Sequence, residues 1–332
     1  MDVDVANEGI GSTPLPHDIL WYTDGDVVLA TDTFLFKVHK FILSMQSSVF
    51  RDMFAFPAID SAQGASNPDG EEVQEMYEGL PMVVLAGDKG EEVVHLLRTL
   101  YERDYYYRDN DDTPLETITA LLVLSTKYDF RLIRSDVIHQ VSKKYPMSLE
   151  EYVYVDDDYV KMFGKFRMEC HFPLLCAFLK ADVECLLPPL YYACSDFPIE
   201  AILFHAKILS MDPQSMLFLI GGRDIIKNTI NELIATLPDQ IRENAVRSCA
   251  SFGSRCCTIA HFSNLRSLSN SADLRRIAGK SVSKYLHQAC DSCEAYIKES
   301  VDRKREKIWY ALPSLFGLRG WEILKEELAK LS

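Results

Sequence analysis

The sequence predicts a small α+β domain followed by an all-α domain. Three observations carry that reading. Between Asp26 and Phe54 the apolar residues first alternate and then recur at three- and four-residue steps, the pattern of a hairpin that feeds helices. Beyond Pro146 the periodicity is mainly helical. The chain has 332 residues, 48% of them apolar, enough for two cores.

Residues 1–17 are expected to form a disordered, polar and acidic leader. They lack the basic and apolar regions of a secretory signal, and no apolar run is long enough to span a membrane, so an intracellular location, cytoplasmic or nuclear, is expected. Val27, Val28 and Leu29 form the first alternating run, Thr31-Asp32-Thr33 the turn, and Phe34, Phe36 and Val38 the second run. Phe41, Ile42, Met45, Val49, Phe50, Met53 and Phe54 then fall on helical spacing, with Ser47 and Ser48 placed to cap a second short helix. Ser61–Gly70 reads as a loop, Leu80–Leu85 as a strand and Glu91–Tyr101 as a helix with two acidic residues at its start. Arg103–Pro114 is a charged loop with three consecutive tyrosines, and Leu115–Lys127 and Leu132–Lys144 are a helix pair broken at Tyr128-Asp129-Phe130. Further helices are expected at Tyr159–Met168, Leu174–Lys180, Leu186–Cys194, Ile199–Ser210, Ile225–Thr236 and Pro238–Ala250, and a long one from about Ala272 to Ala311.

D-V-x-L at 26–29, F-x-V-H-K at 36–40, S-x-x-F at 47–50 and Met53-Phe54 occur in an order and at a spacing that resemble the core of a BTB/POZ domain. The order of strands and helices extends the resemblance over about residues 20–145. The expected division is therefore a leader at 1–17, a BTB/POZ domain at 18–145 (a small sheet with flanking helices) and a helical C-terminal domain at 146–332. Leu186–Cys194 and residues 290–324 resemble the helical continuation found in the expanded BTB proteins of mushroom-forming (basidiomycete) fungi. The resemblance implies protein–protein interaction rather than catalysis: such domains self-associate or serve as substrate adaptors of cullin-type ubiquitin ligases. Dimeric members carry an extra helix and strand before the first strand of the hairpin. Here only His17–Asp24 stands there, so homodimerisation is left open. Cullin-binding members carry a hydrophobic-x-Glu triplet after the Met-Phe pair. The nearest match is Ala58-Ile59-Asp60, in which Ala in place of Leu or Met gives up about 1–2 kcal/mol of apolar burial. The partner-binding set this implies is Met53, Phe54, Ala58 and Asp60, with the loop tyrosines Tyr105, Tyr106 and Tyr107.

Charge and cysteine usage bound the alternatives. Residues 1–150 hold 26 acidic and 12 basic side chains, the whole net charge of −14, whereas residues 151–332 hold 23 of each. An acidic first domain argues against nucleic-acid binding there, since phosphate contacts need Lys and Arg. Arg242–Lys307 has 13 basic and 7 acidic residues, a weak surplus that suits a solvated helix face better than a nucleic-acid site. Arg303-Lys304-Arg305-Glu306-Lys307 within it reads first as an exposed helix face and only second as a nuclear-import signal. All nine cysteines lie at or after Cys170, and without a signal peptide they read as thiols or metal ligands rather than a disulfide framework.

No nucleophile–base signature is present, so no catalytic residue is expected. His39 reads as a packed junction residue. Gly221-Gly222-Arg223-Asp224 lacks the spacing of a phosphate loop and reads as a tight turn with Asp224 as N-cap. Cys170, Cys176, Cys185 and Cys194 are spaced irregularly, as core cysteines are. Cys290-x-x-Cys293 with Cys249, Cys256, Cys257 and His261 could supply four zinc ligands, and burial of Cys293 on a helical stripe is the competing account. Trp309, Phe316 and Trp321 are expected to clamp the tail onto the helical domain. No resident cofactor is expected beyond that zinc. Three functional readings follow: an adaptor or scaffold acting through protein partners, a nuclear regulator using the basic 242–307 stretch, and a zinc-stabilised helical domain of unknown activity.

Overall fold

The computed structural model describes residues 13–55, 75–249, 262–285 and 290–331. The chain divides into two units, residues 1–138 and 139–332.

In the first unit, strand β1 (Leu15–Trp21) precedes the expected hairpin of β2 (Val27–Ala30) and β3 (Phe34–Val38). Short helices α1 (Lys40–Gln46) and α2 (Ser48–Ala55) follow, then β4 (Met76–Tyr77), β5 (Leu80–Val84), α3 (Gly90–Tyr101), α4 (Leu115–Lys127) and α5 (Arg131–Ser142). The sheet order is β1-β3-β2-β5-β4. β2 pairs antiparallel with β3 from Val27↔Val38 to Ala30↔Leu35, and parallel with β5 on its other edge. All four β2 residues are buried, which is why that strand reads as a continuous apolar run.

Leu15, Pro16 and His17, expected in the leader, instead begin β1, which lies parallel to β3 at the sheet edge. An edge strand tolerates Pro16, and the His17 ring packs on Phe34 and Phe36 at 5.0 and 5.5 Å. Residues 1–12 of the expected leader, and the loop expected at Ser61–Gly70, lie outside the described residues.

The hairpin turn also starts a helix. Thr31 Oγ1 accepts the Phe34 N–H at 3.1 Å, and Asp32 Oδ1 accepts the Gly90 N–H at 2.8 Å, satisfying a donor at the start of α3. The approach is close enough that a Cβ on Gly90 would stand 2.1 Å from Thr33 Oγ1.

The second unit holds α6 (Leu149–Val155), the hairpin β6 (Lys161–Met162) and β7 (Lys165–Phe166), then α7 (Arg167–Lys180), α8 (Leu187–Ser195), α9 (Ile199–Ile208) and α10 (Pro213–Ser248). A 3-10 segment at Phe262–Leu268 leads to α11 (Gly279–Tyr285), α12 (Asp291–Leu315) and α13 (Trp321–Lys330). Three expectations are corrected here. The helix expected at Tyr159–Met168 is the β6–β7 hairpin, turned by Phe163 and Gly164 with φ of 54° and 75°, the left-handed pair that a two-residue hairpin loop needs. The turn at Gly221–Asp224 and the separate helices on either side of Pro238 are one helix of 36 residues, about 54 Å long. Asp224 therefore lies inside α10, whose N-cap is Asp212, accepting the Ser215 N–H at 2.9 Å. The long helix expected from Ala272 is interrupted: α11 ends at Tyr285, and α12 starts afresh with Cys290 as its N-cap. Before α11 the backbone bonds to side chains instead, Ala272 N–H to Asp196 Oδ1 (2.8 Å) and Leu274 N–H to Tyr192 Oη (2.7 Å).

The expected tail clamp forms. Trp309 Nε1 donates to Met147 O (2.8 Å), Trp321 Nε1 donates to Trp309 O (3.1 Å), and the two indoles stack at 5.8 Å. Phe316 stacks on Tyr191 at 4.8 Å and lies against Gly222, where a Cβ would meet its ring at 2.2 Å. Gly222 is thus there for helix packing, while a Cβ on Gly221 would meet open space.

Adjacent glycines should consequently respond with opposite signs. Gly221→Ala is expected to raise stability by up to about 1 kcal/mol, through helix propensity alone. Gly222→Ala should lower it by about 1–3 kcal/mol, because the Phe316 ring must move. Chemical denaturation of the full chain measures both, and equal effects would contradict this account of α10.

Candidate partner-binding groove and polar cleft

In the first unit, Ser47 and Phe50 fix where α1 ends and α2 begins. Ser47 Oγ accepts the Phe50 N–H at 2.9 Å, as an N-cap does, and donates to Tyr128 O at 2.5 Å. Phe50 stacks on Tyr128 at 4.8 Å, and Ser48 Oγ donates to Asp129 Oδ2 at 2.5 Å. Asp129 has a φ of 54°, which turns the chain sharply between α4 and α5. Hydrogen bonds from Arg131 and Ser48 hold its carboxyl below the usual carboxylate range.

These contacts leave a groove of about 310 Å³, lined by Met45–Ser48 and Arg51 on one side and by residues 129–133 on the other. Its apolar rim is open: Met45 is 64% exposed and Leu132 77%. Phe41, one turn before Met45 on α1, is exposed as well. Exposed large apolar side chains beside a groove, with Arg51, Asp129 and Arg131 around them, make a surface suited to an apolar anchor framed by charges.

The residues singled out in the sequence are placed as follows. Met53 and Phe54 lie half-buried on α2, Phe54 with Lys40 Nζ over its ring at 5.8 Å. Ala58 and Asp60 lie outside the described residues. Tyr105 is occupied within the unit: its hydroxyl meets His95 Nδ1 at 2.5 Å and Arg98 lies over its ring at 4.3 Å. Tyr106 is only 8% exposed, whereas Tyr107 is 55% exposed, so of the three it is Tyr107 that stands open to a partner. His39 sits at the β3–α1 junction with its ring on Tyr101 Oη (3.2 Å) and Asp24 (3.2 Å), a structural set of contacts. Sequence reasoning missed Met45 and Leu132 as open residues, because their helical spacing reads as buried stripe.

In the second unit, ion pairs gather beside a cleft of about 180 Å³. Arg167, 2% exposed, donates to Asp156 (3.3 Å) and to Lys144 O (2.7 Å), and lies over the Tyr145 ring at 4.5 Å. Arg275 reaches Asp156 (3.0 Å), Asp273 (3.3 Å) and Asp158 (3.7 Å). His171 bridges Tyr145 Oη (2.8 Å) and Asp158 (3.5 Å). Burial raises the Asp156 carboxyl to about 6, outweighing the opposing pull of the Arg275 and Arg167 guanidinium groups. Burial lowers His171 from 6.5, more than Asp158 raises it. Each charged group here faces another, the arrangement of a structural network. Local patterning carries no sign of it, since Arg275 lies more than a hundred residues from the aspartates at 156 and 158.

Elsewhere, five of the thirteen basic residues of the 242–307 stretch pair with carboxylates of the chain. Arg242, Arg275, Lys298, Arg303 and Arg305 each bond to a carboxylate. Of the cysteines, Cys170, Cys176, Cys185 and Cys194 are buried in the helical core. Cys249, Cys290 and Cys293 come together, their sulfurs within 4.8 Å of one another. Cys256, Cys257 and His261 lie outside the described residues.

Residues 22–77 match the BTB/POZ domain model. No curated protein and no solved structure matches the chain. The first unit is therefore a BTB/POZ domain, a module that generally mediates protein–protein interaction and is typically non-enzymatic, and a helical C-terminal region follows it. Among the described residues no helix is long and apolar enough to cross a membrane.

The His171 environment predicts a pH dependence. A proton binds the unfolded His171 near 6.5 and the folded one only at lower pH, so stability falls as pH drops through 6.5. Asp156 acts in the opposite sense, since between about 3.8 and 6 the folded state holds a proton that the unfolded state has lost. Thermal melts of the wild type should lose stability from about pH 7.5 to pH 6, by at most about 1.4 kcal/mol per pH unit for one group. His171→Gln should be flatter over that window; identical profiles would contradict a neutral, buried His171.

Proposed function

We propose that this protein is a non-enzymatic BTB adaptor or scaffold of the expanded kind found in mushroom-forming fungi. It works in the cytoplasm or nucleus as a substrate adaptor of a cullin-type ubiquitin ligase. The observation that carries the reading is the pairing of a BTB/POZ match over residues 22–77 with the groove between Met45 and Leu132, whose apolar rim is open. The cullin contacts this groove together with Met53, Phe54, Ala58 and Asp60, and Tyr107 adds an exposed aromatic. The helical region, 139–332, then serves as the part that recognises the protein to be modified. The even balance of 23 acidic and 23 basic side chains over residues 151–332, with five of the thirteen basic residues of 242–307 held by carboxylates, favours this over contact with nucleic acid.

Binding of the full chain to an isolated cullin N-terminal domain tests the proposal. Wild type should be retained, and both Met45→Glu/Leu132→Glu and Ala58→Arg/Asp60→Lys should bind at least tenfold more weakly, as expected when an anchor near the centre of an interface is lost. No retention of wild type, or equal retention of all three, would overturn the cullin assignment.

A further inference from the structure

The described cysteines of the helical region fall into two chemical groups. Cys170 directs its thiol to Met162 O (3.6 Å) and Phe166 O (3.5 Å), and Cys176 and Cys194 are packed in the core, where burial raises both thiols. Such residues are inert small hydrophobes. Cys249, Cys290 and Cys293 instead turn their sulfurs toward one another, from two helix ends. Cys249 is the C-cap of α10, Cys290 the N-cap of α12, and Cys293 stands in the first turn of α12. Cys293 is fully buried against Ala245, with Cys249 and Cys290 half-buried beside it.

We propose that these three residues are thiolate ligands of a structural zinc ion. In a tetrahedral site with Zn–S bonds of about 2.3 Å, neighbouring sulfurs stand about 3.8 Å apart. Here Cys249 Sγ and Cys290 Sγ are 3.4 Å apart and all three sulfurs lie within 4.8 Å, so an ion needs only small rotamer adjustments to fit among them. A Cys-x-x-Cys pair within one straight helix would project from a single face. Because Cys290 is extended (φ −73°, ψ 161°) and Cys293 helical, the pair brackets the start of α12 and can close on one ion. The positive end of the α12 dipole favours the net negative charge that three thiolates leave after neutralising Zn²⁺. Three soft sulfur donors select zinc over the hard ions magnesium and calcium. The ion would close a span of 41 residues between Cys249 and Cys290, joining the end of α10 to the start of α12 where the chain between them departs from a continuous helix. The fourth position falls to water or to another side chain.

Metal analysis of the full chain, purified under reducing conditions and dialysed against zinc, tests the site. The wild type should hold about one zinc per chain, and its cobalt(II) form should show thiolate-to-cobalt charge transfer and the visible bands of tetrahedral coordination. Cys290→Ser is the informative variant, because Ser is a better N-cap than Cys and preserves the start of α12. It should keep the helical circular dichroism of the wild type while its affinity for zinc, measured by competition with a chromophoric chelator, falls at least tenfold. Cys176→Ala, outside the cluster, should retain the ion. If Cys290→Ser loses its helical signal, the cobalt(II) spectrum of the wild type decides. Substoichiometric zinc with no thiolate–cobalt band, zinc retained at full affinity by a folded Cys290→Ser, copper or iron bound in its place, or a Cys249–Cys290 disulfide on non-reducing peptide mapping would each overturn the proposal.

Discussion

The groove of the first unit depends on one corner, where Ser47 meets Tyr128. A single hydroxyl there accepts the N–H that starts α2 and donates to the carbonyl that ends α4. The two segments are 81 residues apart in sequence, and both polar groups are buried. Removing one partner of such a bond leaves a desolvated carbonyl worth about 1–3 kcal/mol. Phe50 stacking on Tyr128 adds apolar area at the same point, and Ser48 on Asp129 repeats the link one residue further on. The groove between Met45 and Leu132 is the outer surface of that corner. An α2 that slid or frayed would erase it.

A similar economy appears in the second unit, where long-range contacts rather than local propensity decide the architecture. Arg167 would be prohibitive to bury alone; two tyrosine rings, Asp156 and the Lys144 carbonyl make it tolerable. Trp309 joins α12 to α6 and to the segment before it: its ring packs on Tyr152 of α6 and its N–H donates to Met147 O. These contacts tie together segments of the helical region that lie far apart in the sequence.

Much of the first unit was legible in the sequence because its signals are local. The apolar run at Val27–Leu29, which is continuous rather than alternating, the alternation at Phe34–Val38, the Ser47 cap before α2 and the apolar stripe of Leu115–Lys127 depend on neighbours within a few residues. The candidate groove was less legible: Met45 and Leu132 sit on helical spacing, and periodicity cannot tell a stripe that faces the core from one left open for a partner. In the second unit the errors have physical causes. Gly221-Gly222 and Pro238 are breakers in an isolated peptide, yet packing of Phe316 against Gly222 overrides the first, and α10 runs through both. The β6–β7 strands are two residues each, too short for alternation to register. The convergence of Cys249 with Cys290 and Cys293 was suggested by residue type, but the extended Cys290 that lets the pair converge is a feature of the tertiary structure.

Amide hydrogen exchange on the full chain carrying Ser47→Ala tests the central claim most directly. If the Ser47–Tyr128 corner holds the groove together, exchange should accelerate both at Phe50 and across residues 129–133, while the β2–β3 hairpin keeps wild-type protection. Acceleration confined to residues 47–50, with 129–133 unchanged, would contradict it: the two segments would then be held independently, and the groove would not depend on the corner.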